Sequence, residues 1–419
     1  MKCFGQYPYA PSNAQGRQQE AKMGAGNLVW ILALGSGAWL IGCGSDDGVN
    51  GAAGFREVYD QGLTRYVGAF APSNEPTADE AGVKHWEFAV PDALSAEPRS
   101  PVCLRGGEWT VDTRAGASNE LVIFLQGGGA CWADFCAAFE NAGPITVGGI
   151  LDPELEGNPV ADWDVVYLPY CDGSLFAGDV DRVLPASALG EPGPSVLSYQ
   201  RGLQNLTSAL DIAVAEFPNP DRILLTGVSA GAFGTIVSLP LVRFYYPNTE
   251  ILVFNDSGVG VAKDGNPDFV NETFLAGWNA DSMIPVSCPD CTSNGHVTRL
   301  IEWQLEADPN VTMSALSFSQ DFVVATLFLM IPVADFTASL LAETGRIAGS
   351  YPDRYKRFIT VGASHTAILV PDAEAAAGLL PTDIGHLEIE IGGTTVLDWF
   401  TALIDGTDAW ENLVDPSLE

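Results

Sequence analysis

Residues 227–231 read GVSAG, which sets Ser229 between two glycines at the end of an apolar run and ahead of a helical stretch. A nucleophilic serine needs that setting. A tight turn lifts its hydroxyl clear of a sheet, and the glycines let the following helix pass close to the strand. The helix then directs its first amides at charge developing on a substrate oxygen. Upstream, residues 125–132 read LQGGGACW, so three glycines close another apolar run. Amides presented without crowding side chains suit a tetrahedral oxyanion. A phosphate-cradling loop is the competing reading, but neither a GxGxxG pattern nor a Walker lysine accompanies these glycines.

A serine nucleophile requires a base, and the chain has four histidines: His85, His296, His365 and His386. His85 precedes the strand-like runs, His296 sits in an irregular cysteine-bearing segment, and His386 precedes a Glu-Ile-Glu stretch. His365 follows the last strong run, where the chain order Ser, acid, His places a base. It is the expected base, with His386 in reserve. The acid belongs after the preceding run, which ends at Asp321. Its carboxylate would fix the imidazole tautomer and stabilise the imidazolium. Asp321 also reads as a helix cap before Phe322. Asp335 and Asp256 are alternatives, although Asp256 follows the wrong strand for this order.

Six apolar runs must position these groups: 120–126, 164–170, 222–227, 250–256, 311–319 and 357–362. They are continuously apolar rather than alternating, as expected of strands buried on both faces of a parallel sheet. Between them, Leu203, Leu206, Leu210, Val214 and Phe217 recur at helical spacing until Pro218 and Pro220. The alternation predicts an α/β-hydrolase fold: a mostly parallel central sheet flanked by helices. Residues 264–310 are less regular and are the expected site of a cap or lid insertion.

Acidic residues number 53 against 19 basic ones, a net charge of −34. Such a surface repels phosphate backbones and anionic headgroups, which argues against nucleic-acid partners. Residues 28–42 form an uncharged stretch of secretory length, too short to span a bilayer comfortably. The stretch ends in LIGC at Cys43, similar to a bacterial lipobox. The expected organisation is a signal peptide over 1–42, a lipidated Cys43 with a flexible tether over 43–60, and a catalytic domain over 61–419. Localisation would be extracytoplasmic, with the membrane contacted only through the lipid. Cys103, Cys131, Cys136, Cys171, Cys288 and Cys291 leave the disulfide connectivity open. The short spacings make Cys131–Cys136 and Cys288–Cys291 the simplest local pairs, leaving Cys103 with Cys171. The CPDC segment, with His296 nearby, could otherwise be half of a zinc site.

The segments LQGGGACW (125–132), DVVYLPYCDG (164–173), GVSAGAFG (227–234), NDSG (255–258) and GASHT (362–366) together resemble the pectin acetylesterase/Notum family of serine carboxylesterases. The resemblance implies Ser229 as nucleophile, Asp321 as acid, His365 as base, and the amides of Gly128, Gly129 and Ala230 as the oxyanion hole. It implies no metal or organic cofactor, and O-acetyl groups of a polysaccharide as substrate. A lipid-acyl or protein-acyl ester is the alternative within the same chemistry. A catalytically silent, surface-displayed binding lipoprotein is the alternative outside it.

Overall fold

A computed structural model describes residues 51–95, 97–186, 194–369 and 386–418. The expected signal peptide and Cys43 lie outside the described residues. Ten strands form the main sheet: β1 (Thr77–Ala78), β2 (Lys84–Phe88), β3 (Trp109–Arg114), β4 (Leu121–Leu125), β5 (Asp164–Leu168), β6 (Arg222–Val228), β7 (Glu250–Asp256), β8 (Val311–Phe318), β9 (Tyr355–Thr360) and β10 (Leu413–Val414). Their spatial order is β1-β2-β3-β5-β4-β6-β7-β8-β9-β10. From β5 to β10 all neighbours are parallel, and β1, β2 and β3 add an antiparallel edge. The six apolar runs become β4 to β9, within two residues at each end. The antiparallel edge carries mixed polar and apolar residues and escaped that reading. His85 accordingly lies within the sheet, on β2, rather than ahead of it.

Period-two geometry divides each central strand between two cores. On β4, Leu121, Ile123 and Leu125 face one core, and Val122 and Phe124 face the other. The first core is covered by α3 (Gly202–Glu216) and α4 (Ala230–Tyr245). Leu203, Leu206 and Leu210 of α3 are fully buried, as their spacing requires. The second core is covered by α7 (Val396–Asp405). A capping box between Thr395 and Asp398 starts α7, and left-handed Gly406 ends it. Two further helices, α5 (Thr298–Ala307) and α6 (Val333–Ser350), complete the flanking layers.

The packed body starts earlier than the expected boundary at residue 61. Two short helices, α1 (Gly51–Gly54) and α2 (Arg56–Asp60), hold Phe55 and Val58 in the first core with both side chains fully buried. Residues 51–60 are therefore part of the folded domain and not tether. Two apolar side chains followed a Gly- and Ser-rich stretch, and composition alone did not separate them from it. Among the described residues three disulfides form: Cys103–Cys171, Cys131–Cys136 and Cys288–Cys291. Cys288 and Cys291 thus bond each other, and His296 instead accepts the amide proton of Ala262 on Nδ1 at 2.9 Å. No helix among the described residues is long and apolar enough to cross a membrane.

Trp399 on α7 is fully buried against Phe254 of β7 and Phe358 of β9. Trp399→Ala should destabilise the fold by about 3–5 kcal/mol, because the rigid strands cannot collapse into the space left. Urea denaturation monitored by circular dichroism measures this, and a midpoint unchanged from wild type would contradict it.

Candidate active site

Ser229 sits between β6 and α4 with φ 55° and ψ −120°, a conformation that costs a non-glycine residue about 1–3 kcal/mol. The surroundings impose it. The Ser229 amide donates to the Asp256 carbonyl at 2.9 Å, and its own carbonyl accepts from Phe233 at 3.1 Å. A β-carbon on Gly231 would lie 2.0 Å from the Leu125 carbonyl oxygen, so only glycine lets α4 start this close to β4. The Ala230 amide, in the first turn of α4, is among those without a carbonyl one turn back.

The three glycines lead into a hairpin, Gly129–Trp132 against Phe135–Ala138, closed by the Cys131–Cys136 disulfide between opposed residues. Gly129 has φ 85°, and a β-carbon there would meet the Ala137 carbonyl oxygen at 1.9 Å. Cys131 is fixed from both sides. Its amide donates to the Gly173 carbonyl at 2.7 Å. Its carbonyl accepts from Gln200 Nε2 at 2.9 Å and Trp278 Nε1 at 2.8 Å. The loop after β5 completes the support, since the Tyr170 amide donates to Gln126 Oε1. Burial also pushes the Asp172 carboxyl in this loop up to about 7.

Gly129, Ala230 and Ser229 line one pocket of about 500 Å³, counted to its open mouth. Gly128 lies one residue back, its carbonyl accepting from Phe139 at 2.9 Å. The remaining wall is apolar and rich in aromatic rings: Trp132, Phe233, Phe269, Phe274 and Phe328. Phe269 and Phe274 belong to a π-helical segment, Phe269–Ala276, within the region expected to form a cap. That region narrows accordingly, because α5 at its end packs in the helical layer. Residues 264–310 revealed only irregularity; nothing in them marked which side chains line the pocket.

Asp321 and His365 meet. The loops after β8 and β9 run together, with the Ser319 amide donating to Thr360, Gln320 to Gly362 and Phe322 to Ala363 at 2.8–3.3 Å. This sets His365 Nδ1 2.7 Å from Asp321 Oδ2, both side chains buried. A carboxylate only accepts, so Nδ1 is the donor in this contact, which in the neutral ring leaves Nε2 as the acceptor. The other oxygen, Asp321 Oδ1, accepts the Val324 amide at 2.9 Å. The cap and the histidine contact, competing readings in sequence, are both made by one carboxylate. His365 Nε2 is buried and bonds no protein group among the described residues, so no hydrogen bond joins it to Ser229 in this structure. Such contacts often close only with substrate bound.

The alternatives separate in space. Asp335 is exposed on α6. His386 reaches the His365 loop through its backbone, donating its amide to the Ala367 carbonyl at 3.0 Å. His85 Nδ1 faces Asp112 Oδ1 at 2.7 Å on the antiparallel edge. Asp256 is fully buried beneath the His365 loop, its Oδ2 accepting the amides of Ala367 at 2.6 Å and Ile368 at 2.9 Å. Burial pushes its carboxyl up to about 6, against the opposing pull of those amides. An acid ending a strand next to the nucleophile strand was visible in sequence, but its partners, more than a hundred residues away, were not.

A family model described as Pectinacetylesterase matches residues 94–293. Those residues include the glycine hairpin, Ser229 and Asp256 and stop before Asp321 and His365. Pectin acetylesterase 7 of Arabidopsis thaliana is 28% identical over 216 residues, covering 46% of this chain and 53% of that protein. Pectin acetylesterase 11 of the same plant is 26% identical over 181 residues, covering 39% and 44%. The chain thus spans about half the length of the curated relatives it matches. The crystal structure of the Wnt deacylase Notum from Drosophila shares the fold, with a TM-score of 0.51 at 16% identity over 75% of this chain and 93% of that one. Across the segment that holds its glycine hairpin and serine turn the chain is similar in sequence to the pectin acetylesterases, and over most of its length it is similar in fold to Notum.

Proposed function

We propose that the protein is an extracytoplasmic serine carboxylic-ester hydrolase working through an acyl-enzyme, with Ser229, His365 and Asp321 as its triad. The observation that carries this reading is the buried 2.7 Å contact between His365 Nδ1 and Asp321 Oδ2, made beside the strained Ser229 turn. Ser229 Oγ attacks the ester carbonyl carbon and passes its proton to His365 Nε2. Asp321 holds the imidazole in the tautomer that makes this possible and stabilises the imidazolium that results. The tetrahedral oxyanion lies toward the amides of Ala230, Gly129 and Gly128. The imidazolium then protonates the departing alcohol, and water attacks the acylated Ser229 by the same route in reverse. The three disulfides support an oxidising compartment. The lipidated Cys43 remains part of the proposal.

The names of the relatives favour an O-acetylated polysaccharide as substrate. The charge of this chain narrows that class. A protein of net charge −34 repels polyanions at low salt, so a neutral glycan backbone fits better than a polyuronate. A second reading, a longer acyl chain, draws on the apolar pocket wall. Leu175, Phe233, Ala262 and Phe274 also line a second, adjacent apolar pocket.

Ser229→Ala should keep the fold and lower turnover of p-nitrophenyl acetate on the order of 10³-fold or more. Retention of more than roughly a tenth of wild-type turnover would remove Ser229 from the mechanism. Asp321→Asn should keep the cap to Val324, because the amide oxygen still accepts. It should nevertheless lower kcat by roughly two to four orders of magnitude, since the amide favours the wrong tautomer. Near-normal kcat in this variant would reduce Asp321 to a cap. On substrates, acetylated xylan should be deacetylated faster than acetylated polygalacturonate at low salt, and added salt should narrow the gap. The reverse order would overturn the charge argument, and a preference for p-nitrophenyl octanoate over the acetate would favour the longer acyl chain.

A further inference from the structure

Besides Leu175 in the pocket wall, three non-glycine residues at the strand ends adopt left-handed backbone: Ser229 at φ 55°, Ser257 at φ 68° and Thr366 at φ 64°. Each conformation costs about 1–3 kcal/mol and persists only where neighbouring contacts over-determine it. All three converge on one residue. The Asp256 carbonyl accepts the Ser229 amide at 2.9 Å. Asp256 Oδ1 accepts the Ser257 hydroxyl at 3.0 Å. Ser257 Oγ in turn accepts the Thr366 amide at 3.0 Å. Asp256 Oδ2 takes the next two amides, Ala367 and Ile368. The three amides that follow His365 are thus all held by the end of β7, the strand beside the one that carries Ser229.

We propose that Asp256, working through Ser257, is the positioning residue of the catalytic base: it fixes the His365 loop against the Ser229 turn without touching substrate. The inference rests on the ester-hydrolase reading above. Asp321 orients the imidazole ring, and Asp256 places the backbone from which the ring projects. A carboxylate suits this task because two oxygens can accept several N–H and O–H donors at once in a site that excludes water. The same residue sets the height of the serine turn through its carbonyl, so nucleophile and base share one reference point.

The test uses Asp256→Ala, Asp256→Asn and Ser257→Gly. Glycine tolerates the left-handed position at 257, which offsets part of the cost of the lost hydroxyl contacts, so Ser257→Gly should still fold while releasing the Thr366 amide. A purely structural role therefore predicts full activity for that variant. The positioning role predicts a kcat loss of about 10-fold in Ser257→Gly and about 10²-fold in Asp256→Ala, with KM for p-nitrophenyl acetate nearly constant. Asp256→Asn keeps one acceptor oxygen for the loop amides, with its NH2 able to donate to the Ser257 hydroxyl oxygen, and removes the charge. The charged groups near that carboxylate are His365 and, through it, Asp321. With an acceptor still facing the Ala367 and Ile368 amides, Asp256→Asn should keep a higher kcat than Asp256→Ala, and equal losses in the two would count against the positioning role. On the resting enzyme, proton NMR reads the downfield His365 Nδ1–H signal, assigned by its disappearance in His365→Ala. The signal should shift or broaden in Ser257→Gly and Asp256→Ala. An unchanged signal in Ser257→Gly overturns the proposal even if Asp256→Ala fails to fold. Wild-type protein without esterase turnover would instead sink the ester-hydrolase reading, leaving this signal test to stand on its own.

Discussion

The register of the parallel strands β6 to β9 is the constraint on which the site depends. Val228 pairs with Asp256, Asp256 with Leu316, and Phe318 with Thr360, so these strands end nearly level. Ser229, Ser257, Asp321 and His365 all follow within five residues of those ends. Both faces of the sheet are packed with apolar side chains, so buried polar groups cannot be placed along the strands without cost. The strand ends are where the chain leaves the sheet and backbone amides become available as partners. A slip of one residue in any pair would turn that strand's apolar set to the wrong core and displace one member of the constellation from the others.

The two buried carboxylates divide the work at this edge. Asp321 spends one oxygen on the Val324 amide and the other on His365. Asp256 spends both on backbone and a hydroxyl. Each is buried without a salt-bridged lysine or arginine among the described residues, and hydrogen bonds from backbone amides and from a hydroxyl or imidazole stabilise them. Such networks specify geometry more tightly than exposed ion pairs, because each unmade bond in a water-poor site costs about 1–3 kcal/mol. The apolar pocket wall contributes to the same end. It lines the space before Ser229, and in the proposed mechanism a water-poor wall would strengthen the pull of the Ala230 and Gly129 amides on developing charge.

Much of this was legible in the sequence. Continuous apolar runs marked β4 to β9, because strands buried on both faces have no polar face to interrupt them. The serine and glycine segments were readable because their chemistry is local. Glycine is required at 129 and 231 by neighbours within reach, and the pattern appears in a few consecutive letters. Asp321 and His365 could be ordered along the chain, but their contact depends on β8 and β9 being neighbours, a tertiary fact. The antiparallel edge and the packed residues 51–60 were missed because short mixed segments carry too little periodicity to stand apart from loop.

Asp256 shows why such inference stops where it does. Its placement after an apolar strand looked like that of a catalytic acid, and the order of strands argued against that role without supplying another. What decides its role is the company of residues 366–368, brought to it by the crossover from β7 through β8 to β9. A carboxylate whose two oxygens are filled by a hydroxyl and two amides has little capacity left for an imidazole. Asp321, by contrast, has one amide on one oxygen and offers the other to the ring. On the proposed roles, the difference between acid and anchor lies in how many donors the surrounding backbone has already committed to each carboxylate. Residue type and strand position are shared by both and cannot separate them.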